Sequence, residues 1–188
     1  MTPWITKPIP FNIGQGAAAA GGGAVLTLQY ESTSYPVTTH GMRELYGTGR
    51  FAGSHVGSGS VIGLNIQQVI MWAKQTGDCS GLDLVAQVRN NLQGCTVYKE
   101  LGVFDAGAID TNFEAITFPA QASGYTLVEN DVIGMYLDGG DSSNKITNAG
   151  AIGGAGDSNT NYGESNSCTW DKPGAGNDVQ QPTIQIWG

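Results

Sequence analysis

Charged side chains are scarce in this sequence, whereas glycine is abundant. Charged residues make up 13% of the 188 residues, and 29 residues are glycine. Globular domains ordinarily carry roughly 25% charged residues and roughly 7% glycine. Such a composition supplies little for exposed amphipathic helices but suits short strands joined by tight turns. We therefore expect an all-β protein, long enough to bury about 70% of the surface that its unfolded chain exposes.

Basic residues and long apolar runs are also lacking. Eight Lys and Arg stand against sixteen Asp and Glu, which gives a net charge of −8. Because a phosphate backbone would be repelled, we expect no nucleic-acid partner. No apolar run approaches the roughly 18 residues of a membrane span, and residues 1–16 do not resemble a signal peptide. We expect no membrane span, and either export by a route not visible here or release by cell lysis, as for a virion protein.

The chain has three cysteines, so any single disulfide leaves one thiol unpaired. Cys79 and Cys95 lie at opposite ends of one predicted strand, which is too long for a direct bridge between them. A bridge from Cys168 to either one is easier geometrically. Three buried thiols are the alternative, and the sequence leaves the pairing open.

Signatures of common enzymes are missing. The sequence has no Gly-x-Ser-x-Gly, no phosphate-binding loop, no His-Glu-x-x-His and no Cys-x-x-Cys. His40 and His55 are isolated in Gly-, Ser- and Thr-rich surroundings. Glu114 and Asp138 are candidates for the paired carboxylates of a glycoside hydrolase, but sixteen acids make chance pairs common. We expect a protein without enzymatic activity.

Alternating apolar and polar residues predict the strands. Residues 82–89 alternate strictly, and residues 66–74 precede them across a short turn, so the two segments are predicted to form a hairpin. Residues 66–74 also fit helical spacing, and the hairpin is the reason to prefer a strand. Since Ile66 and Val69 are out of phase, a bulge is expected at Gln67 and Gln68. Further strands are predicted at residues 24–30, 96–104, 113–118, 132–138, 144–148 and 183–187.

The N-terminal segment differs in composition from the rest. In residues 1–23, prolines alternate with apolar side chains before an Ala- and Gly-rich run, which predicts an extended arm ending in a hinge. Such an arm either lies on its own domain or docks on a neighbouring subunit. The apolar residues assigned to this assembly arm are Trp4, Ile5, Ile9, Phe11 and Ile13.

A second unusual segment lies near the C-terminus. Residues 150–181 are rich in Gly, Ser, Asn and Asp, and ordered loops of this length are usually functional. Tyr162 and Trp170 are the candidates for ligand binding there, because an aromatic ring stacks on a sugar. Core packing is the expected role of the aromatic residues within strands.

One Gly-rich turn carries candidate metal ligands. Asp138, Asp141 and Asn144 are spaced three residues apart, and oxygen ligands on a flexible loop are what Ca²⁺ prefers. Asp157 and Asn159 are possible additional ligands. The alternative is an Asx turn, in which the same side chains bond to their own backbone.

Several segments, taken in chain order, resemble a known class of module. They are Ile66-x-x-Val69, the turn at residues 74–81, residues 82–89, Leu101-Gly102-x-x-Asp105, residues 113–118, Leu127-x-x-x-Asp131 with residues 132–136, and the turn at residues 139–144. This series is similar to jelly-roll modules of archaeal and bacterial surface proteins and of phage or virus appendage and decoration proteins. The resemblance covers about residues 45–148. It implies self-assembly, adhesion or carbohydrate binding, often with Ca²⁺, although the turn around Cys79 and the long loop depart from the usual form.

The sequence thus predicts one antiparallel jelly-roll β-sandwich of about eight to ten strands, residues 24–188, preceded by the arm at residues 1–23. The expected function is a structural subunit of an oligomeric assembly, in a virion or at the cell surface or outside the cell, with copies of itself or other structural subunits as partners. A carbohydrate-binding or adhesion module, with Ca²⁺ as its candidate cofactor, is the first alternative, and a glycan-active enzyme is the second.

Overall fold

The computed structural model describes residues 25–31, 41–47, 50–56, 61–90, 96–152, 163–164 and 180–188. These residues form fourteen strands and one short 3-10 helix, Ala106–Ala108, and every strand pair is antiparallel. The all-β, antiparallel prediction is therefore confirmed. The strands are β1 (Leu28–Glu31), β2 (Gly41–Leu45), β3 (Arg50–His55), β4 (Asn65–Ile66), β5 (Gln68–Thr76), β6 (Asp83–Asn90), β7 (Val97–Asp105), β8 (Glu114–Thr117), β9 (Tyr125–Thr126), β10 (Asp131–Asp138), β11 (Lys145–Ile152), β12 (Gly163–Glu164), β13 (Gln180–Pro182) and β14 (Ile184–Trp187).

Two large sheets share one hydrophobic core, as in a β-sandwich. The seven-stranded sheet has the order β1-β14-β5-β11-β13, with β2 also on β11 and β8 also on β5. The five-stranded sheet has the order β12-β3-β10-β6-β7, and β4 with β9 forms a small ribbon. Inward residues of both sheets belong to the same buried cluster, among them Met71, Ile116, Leu84 and Met135.

The predicted alternation of faces is confirmed in β5, β6 and β10. In each segment every second side chain is buried in the core, because successive residues of a strand point to opposite faces. The inward residues are Val69, Met71 and Ala73 in β5, Leu84, Ala86 and Val88 in β6, and Ile133, Met135 and Leu137 in β10.

The predicted hairpin between residues 66–74 and 82–89 is wrong. β5 pairs with β8, β11 and β14, whereas β6 pairs with β7 and β10, so the connection crosses from one sheet to the other. Gly77 and Gly81 have φ angles of 77° and 74°, which glycine adopts readily, and they turn the chain between the layers. Both strands bury one face in the same core, and this gives the same alternation as a hairpin. Cys79 lies buried in this crossing as a free thiol.

The predicted bulge at Gln67 and Gln68 is a break between two strands. Ile66 pairs with Tyr125 in the small ribbon, whereas β5 begins at Gln68. The Gln67 N–H donates to the Trp187 carbonyl at 2.8 Å. The break lets both Ile66 and Val69 be fully buried although they are out of phase for one flat strand.

The strand count and the loop near the C-terminus differ in detail from the prediction. Of the fourteen strands, the ten with at least four residues agree with the eight to ten expected, and the other four have two or three residues. Parts of the segment expected to be a loop, residues 150–181, are strands: β11 continues to Ile152, β12 pairs with β3, and β13 pairs with β11. Tyr162 and Trp170 lie outside the described residues, as do the five apolar residues of the arm.

Candidate functional site

Hydrogen bonds between side chains and backbone N–H groups hold the turn that carries the predicted calcium ligands. Asp141 Oδ1 accepts hydrogen bonds from the N–H groups of Ser143 at 2.7 Å and Asn144 at 2.9 Å. These bonds favour the ionised carboxylate and lower the pKa of Asp141. Asn144 Oδ1 accepts from the Asp78 N–H at 2.9 Å, which ties this turn to the crossing between the sheets. The arrangement is the Asx turn that was the alternative to a metal site.

Asp138 occupies a different setting from the other two candidate ligands. It is exposed at the end of β10, directly opposite Asp83 of β6, which in turn lies opposite Asp105 of β7. Among the described residues, no group of three or more His, Cys, Asp and Glu side chains is arranged to hold a metal ion. Calcium binding by Asp138, Asp141 and Asn144 stays a prediction, and Asp157 and Asn159 lie outside the described part of the chain.

The outward face of the five-stranded sheet carries a stacked arginine. The Arg89 guanidinium carbon lies 4.1 Å from the centroid of the Phe51 ring and 5.1 Å from that of Tyr136. Its Nε donates to Gln87 Oε1 at 3.0 Å. Burial lowers the pKa of Arg89, and the side chain still carries its charge because a guanidinium does not lose its proton in proteins. The face therefore presents a fixed cation supported by two aromatic rings.

Two glycines make room for this stack. Gly53 and Gly134 lie directly opposite each other on β3 and β10. A Cβ atom on Gly53 would lie 2.7 Å from Phe51 Cε1, and a Cβ atom on Gly134 would lie 2.6 Å from Phe51 Cζ. The Phe51 ring therefore covers both glycines and separates the sheet backbone from Arg89. Sequence reasoning missed this feature, although apolar residues at both alternating positions of residues 132–136 were a signal that the outward face is not simply polar.

A pair of tyrosines forms a second aromatic surface. The rings of Tyr98 and Tyr125 stack with centroids 6.5 Å apart and planes inclined by 23°. Tyr98 is 40% exposed on β7, whereas Tyr125 is half-buried. Tyr98 was expected to pack in the core, and the structure places it at the surface instead.

Asp131 is a fully buried carboxylate beside this pair. Its Oδ2 accepts from the Val128 N–H at 2.8 Å, and its Oδ1 accepts from the Tyr125 hydroxyl at 3.3 Å. Burial raises the pKa of Asp131 despite these two bonds, and the same environment raises the pKa of Tyr125 to about 12. The ionised form of Asp131 therefore destabilises the fold relative to the protonated form.

As pH rises, we expect the free energy of unfolding of Asp131→Asn to increase relative to that of the wild type. Burial raises the folded-state pKa of Asp131 above its ordinary value of 3.8. The protonated carboxyl therefore stabilises the fold fully below pH 3.8, and this stabilisation is lost as pH rises through the folded-state pKa. Urea unfolding of both proteins from pH 3 to pH 7 measures the difference in the free energy of unfolding. Carboxylates with lowered pKa values, such as Asp141, titrate in both proteins and cancel in this difference. A difference that stays constant with pH would contradict the assignment.

The chain enters the described sandwich at a sheet edge. β1 is the terminal strand of the seven-stranded sheet, and β14 is its neighbour. The backbones of Thr27 and Gly188 exchange two hydrogen bonds, of 3.0 and 3.1 Å, just before this strand. Val25 is 89% exposed and Leu28 is 45% exposed, so this edge presents two apolar side chains at the surface.

In the described part of the chain no helix is both long enough and apolar enough to span a membrane. Comparisons with protein-family models, curated proteins and solved structures gave no match to this chain.

Proposed function

We propose that the protein is a non-enzymatic structural subunit with a jelly-roll β-sandwich, which assembles with copies of itself through the arm at residues 1–23. The assembly would be a virion decoration or appendage, or an extracellular filament. The observation that carries the proposal is the exposed apolar surface at β1, where the arm joins a sheet edge. An edge strand next to exposed Val25 and Leu28 is a surface on which an extended segment adds favourably.

The anchoring of β1 supports the same function. The backbone bonds between Thr27 and Gly188 are joined by a third bond, from Thr27 Oγ1 to the Gly188 carbonyl at 3.0 Å. These bonds fix the base of the arm to β14, which is bonded to β5 in the middle of the sheet. A load on the arm would therefore pass into the core of the sandwich, as a connection between subunits requires.

Deleting residues 1–20 is expected to reduce the mass of the protein in solution to that of a smaller species or a single chain. Because β1 and its bonds remain, the melting temperature should change little. Light scattering of the purified proteins over a range of concentrations measures the mass. An unchanged mass would refute the role of the arm.

A substitution series separates the chemistry of the arm from its length. Serine at the five apolar positions should have the same effect as the deletion, because an apolar arm binds by burying those side chains. Serine at four polar positions of the same segment is the matched control and should leave the mass unchanged. The apolar positions are Trp4, Ile5, Ile9, Phe11 and Ile13, and the polar ones are Thr2, Thr6, Asn12 and Gln15.

The exposed Tyr98 ring favours a second candidate function, a carbohydrate-binding or adhesion module, with calcium as its candidate cofactor. An exposed ring backed by Tyr125 is a platform on which the apolar face of a sugar packs. A glycan array probed with and without EDTA tests this function. Binding that is lost in Tyr98→Ala and kept in Tyr46→Ala would support it, and the absence of binding under both conditions would refute it.

A further inference from the structure

The outward face of the five-stranded sheet is more apolar than the free face of a sandwich normally is. Outward residues of antiparallel strands are usually polar, because that side is solvated. Here Val85 and Val132 lie on the outward face and are already buried, and Tyr136 is half-buried beside them. Val97 and Val103 of β7 continue the same face and are 46% and 39% exposed. Exposed apolar side chains next to a buried apolar patch indicate a surface that contacts another molecule.

One end of this face carries a cation, Arg89. Arg89 bonds to Gln87 and stacks on two rings, and none of the described carboxylates lies within ion-pair distance of it. The rings hold the guanidinium in one orientation, so little side-chain entropy remains to be lost when an anion binds. A half-buried, preorganised arginine is a typical centre of binding energy in protein interfaces.

The opposite end of the face carries a row of three anions. Asp138, Asp83 and Asp105 lie side by side in one row across β10, β6 and β7, and all three are exposed. Like charges directly opposite on neighbouring strands are unfavourable. Among the described residues, no Lys or Arg forms an ion pair with these aspartates. A cation supplied from outside would relieve this repulsion.

We propose that this face is the contact surface between two copies of the chain, in which Arg89 of each copy meets Asp83 and Asp138 of the other. This inference rests on the proposed function of self-assembly and adds a surface that the arm does not include. Asp83 and Arg89 are six residues apart on β6, or about 20 Å. In this arrangement the five-stranded sheets of the two copies face each other. A two-fold axis that lies between these facing sheets, perpendicular to their strands, places the cationic end of each copy over the anionic end of the other. Such an interface is self-complementary, since one patch satisfies both partners.

Charge exchange between two variants tests the contact. Arg89→Glu alone and Asp83→Lys alone should each raise the dissociation constant of the full-length protein at least about tenfold, because like charges then face each other. In an equimolar mixture of the two variants, the first variant's glutamate faces the second variant's lysine, and the native pair forms at the other end. The mixture should therefore associate almost as tightly as the wild type. Sedimentation velocity over a range of concentrations measures all four samples.

A matched control is available in Arg50. This side chain also stacks on an aromatic ring, with its guanidinium carbon 3.6 Å from the Tyr46 centroid, and it does not take part in the Arg89 stack. Arg50→Glu changes the net charge by the same amount and should leave the dissociation constant within about twofold of the wild type. If Arg89→Glu fails to fold, Asp83→Lys and Val97→Asp, both at exposed positions, provide the same test.

The outcomes separate this inference from the function on which it rests. If the wild type is a single chain at every concentration, the self-assembly function fails and the contact fails with it. If the wild type associates and neither variant weakens it, only the contact is overturned. Association that is unaffected, together with binding of an acidic glycan or another protein that is lost in Arg89→Glu, would assign the face to that partner and also overturn the contact.

Discussion

Phe118→Ala is expected to lower the free energy of unfolding by about 3–5 kcal/mol, which is the largest effect we predict for one side chain. Phe118 is fully buried directly after β8, and its ring meets the edge of Phe104 with centroids 6.4 Å apart and planes inclined by 68°. Phe104 belongs to β7 of the other sheet, so this contact joins the two layers at one side of the sandwich. Truncation would leave a cavity between two sheets whose backbones are fixed by hydrogen bonds, and the cavity would not collapse fully.

Phe113→Ala is the matched control for this substitution. Phe113 lies just before β8, is half-buried and has the Lys74 ammonium 4.8 Å from its ring centroid. Its removal should lower the free energy of unfolding by about 1 kcal/mol, because only a partly exposed contact is lost and no internal cavity is left. Urea unfolding of both variants and the wild type measures the difference. Equal losses for the two phenylalanines would contradict the placement of Phe118 between the sheets.

Gly134→Ala is expected to destabilise the protein by about 3 kcal/mol through overpacking. The added Cβ would lie 2.6 Å from both Gly53 Cα and Phe51 Cζ, and it would also press on the Ala52 carbonyl oxygen. A turn of the Phe51 ring would relieve only one of these contacts, because the other two are with the backbone of β3. β3 would therefore have to move away from β10, which weakens the pairing at the centre of the five-stranded sheet.

Gly81→Ala separates this clash from the general effect of replacing a glycine. No atom lies within 4 Å of a Cβ at Gly81, but its φ of 74° is strained for alanine, so a loss of about 1 kcal/mol is expected. Thermal and urea unfolding of both variants give the comparison. Because the Phe51 ring supports Arg89, Gly134→Ala should also weaken any association that uses the outward face of the sheet. If Gly134→Ala lowers the free energy of unfolding no more than Gly81→Ala does, the close approach of β3 to Gly134 is refuted.

The sequence predicted which residues face the core better than it predicted which strands are neighbours. Met71, Leu84 and Met135 all alternate with more exposed or outward residues, and all three are buried where the alternation placed them. Alternation reports only that one face of a strand is covered, and it has the same period whichever strand lies alongside. For this reason residues 66–74 and 82–89 were assigned to a hairpin, although the crossing at Gly77 and Gly81 places them in opposite sheets.

For the candidate sites too, the sequence predicted local features, and only the structure shows which side chains meet. The spacing of Asp141 and Asn144 indicated a polar turn, but only the structure shows that their side chains bond to the backbone of the turn and to Asp78. The Arg89 site could not be found from spacing, because Phe51 and Arg89 are far apart in the chain and meet only across β10.

The sequence by itself determined an all-β protein of antiparallel strands, since its scarce charges, abundant glycines and alternating apolar residues are local properties of the chain. Only the tertiary structure decided which strands pair, how the chain crosses between the sheets, and which charges share a face. The physical reason is that these features depend on contacts between residues distant in sequence. Arg89 comes to lie over Phe51, and Asp83 beside Asp138, because β3, β10 and β6 are hydrogen-bonded in one fixed register.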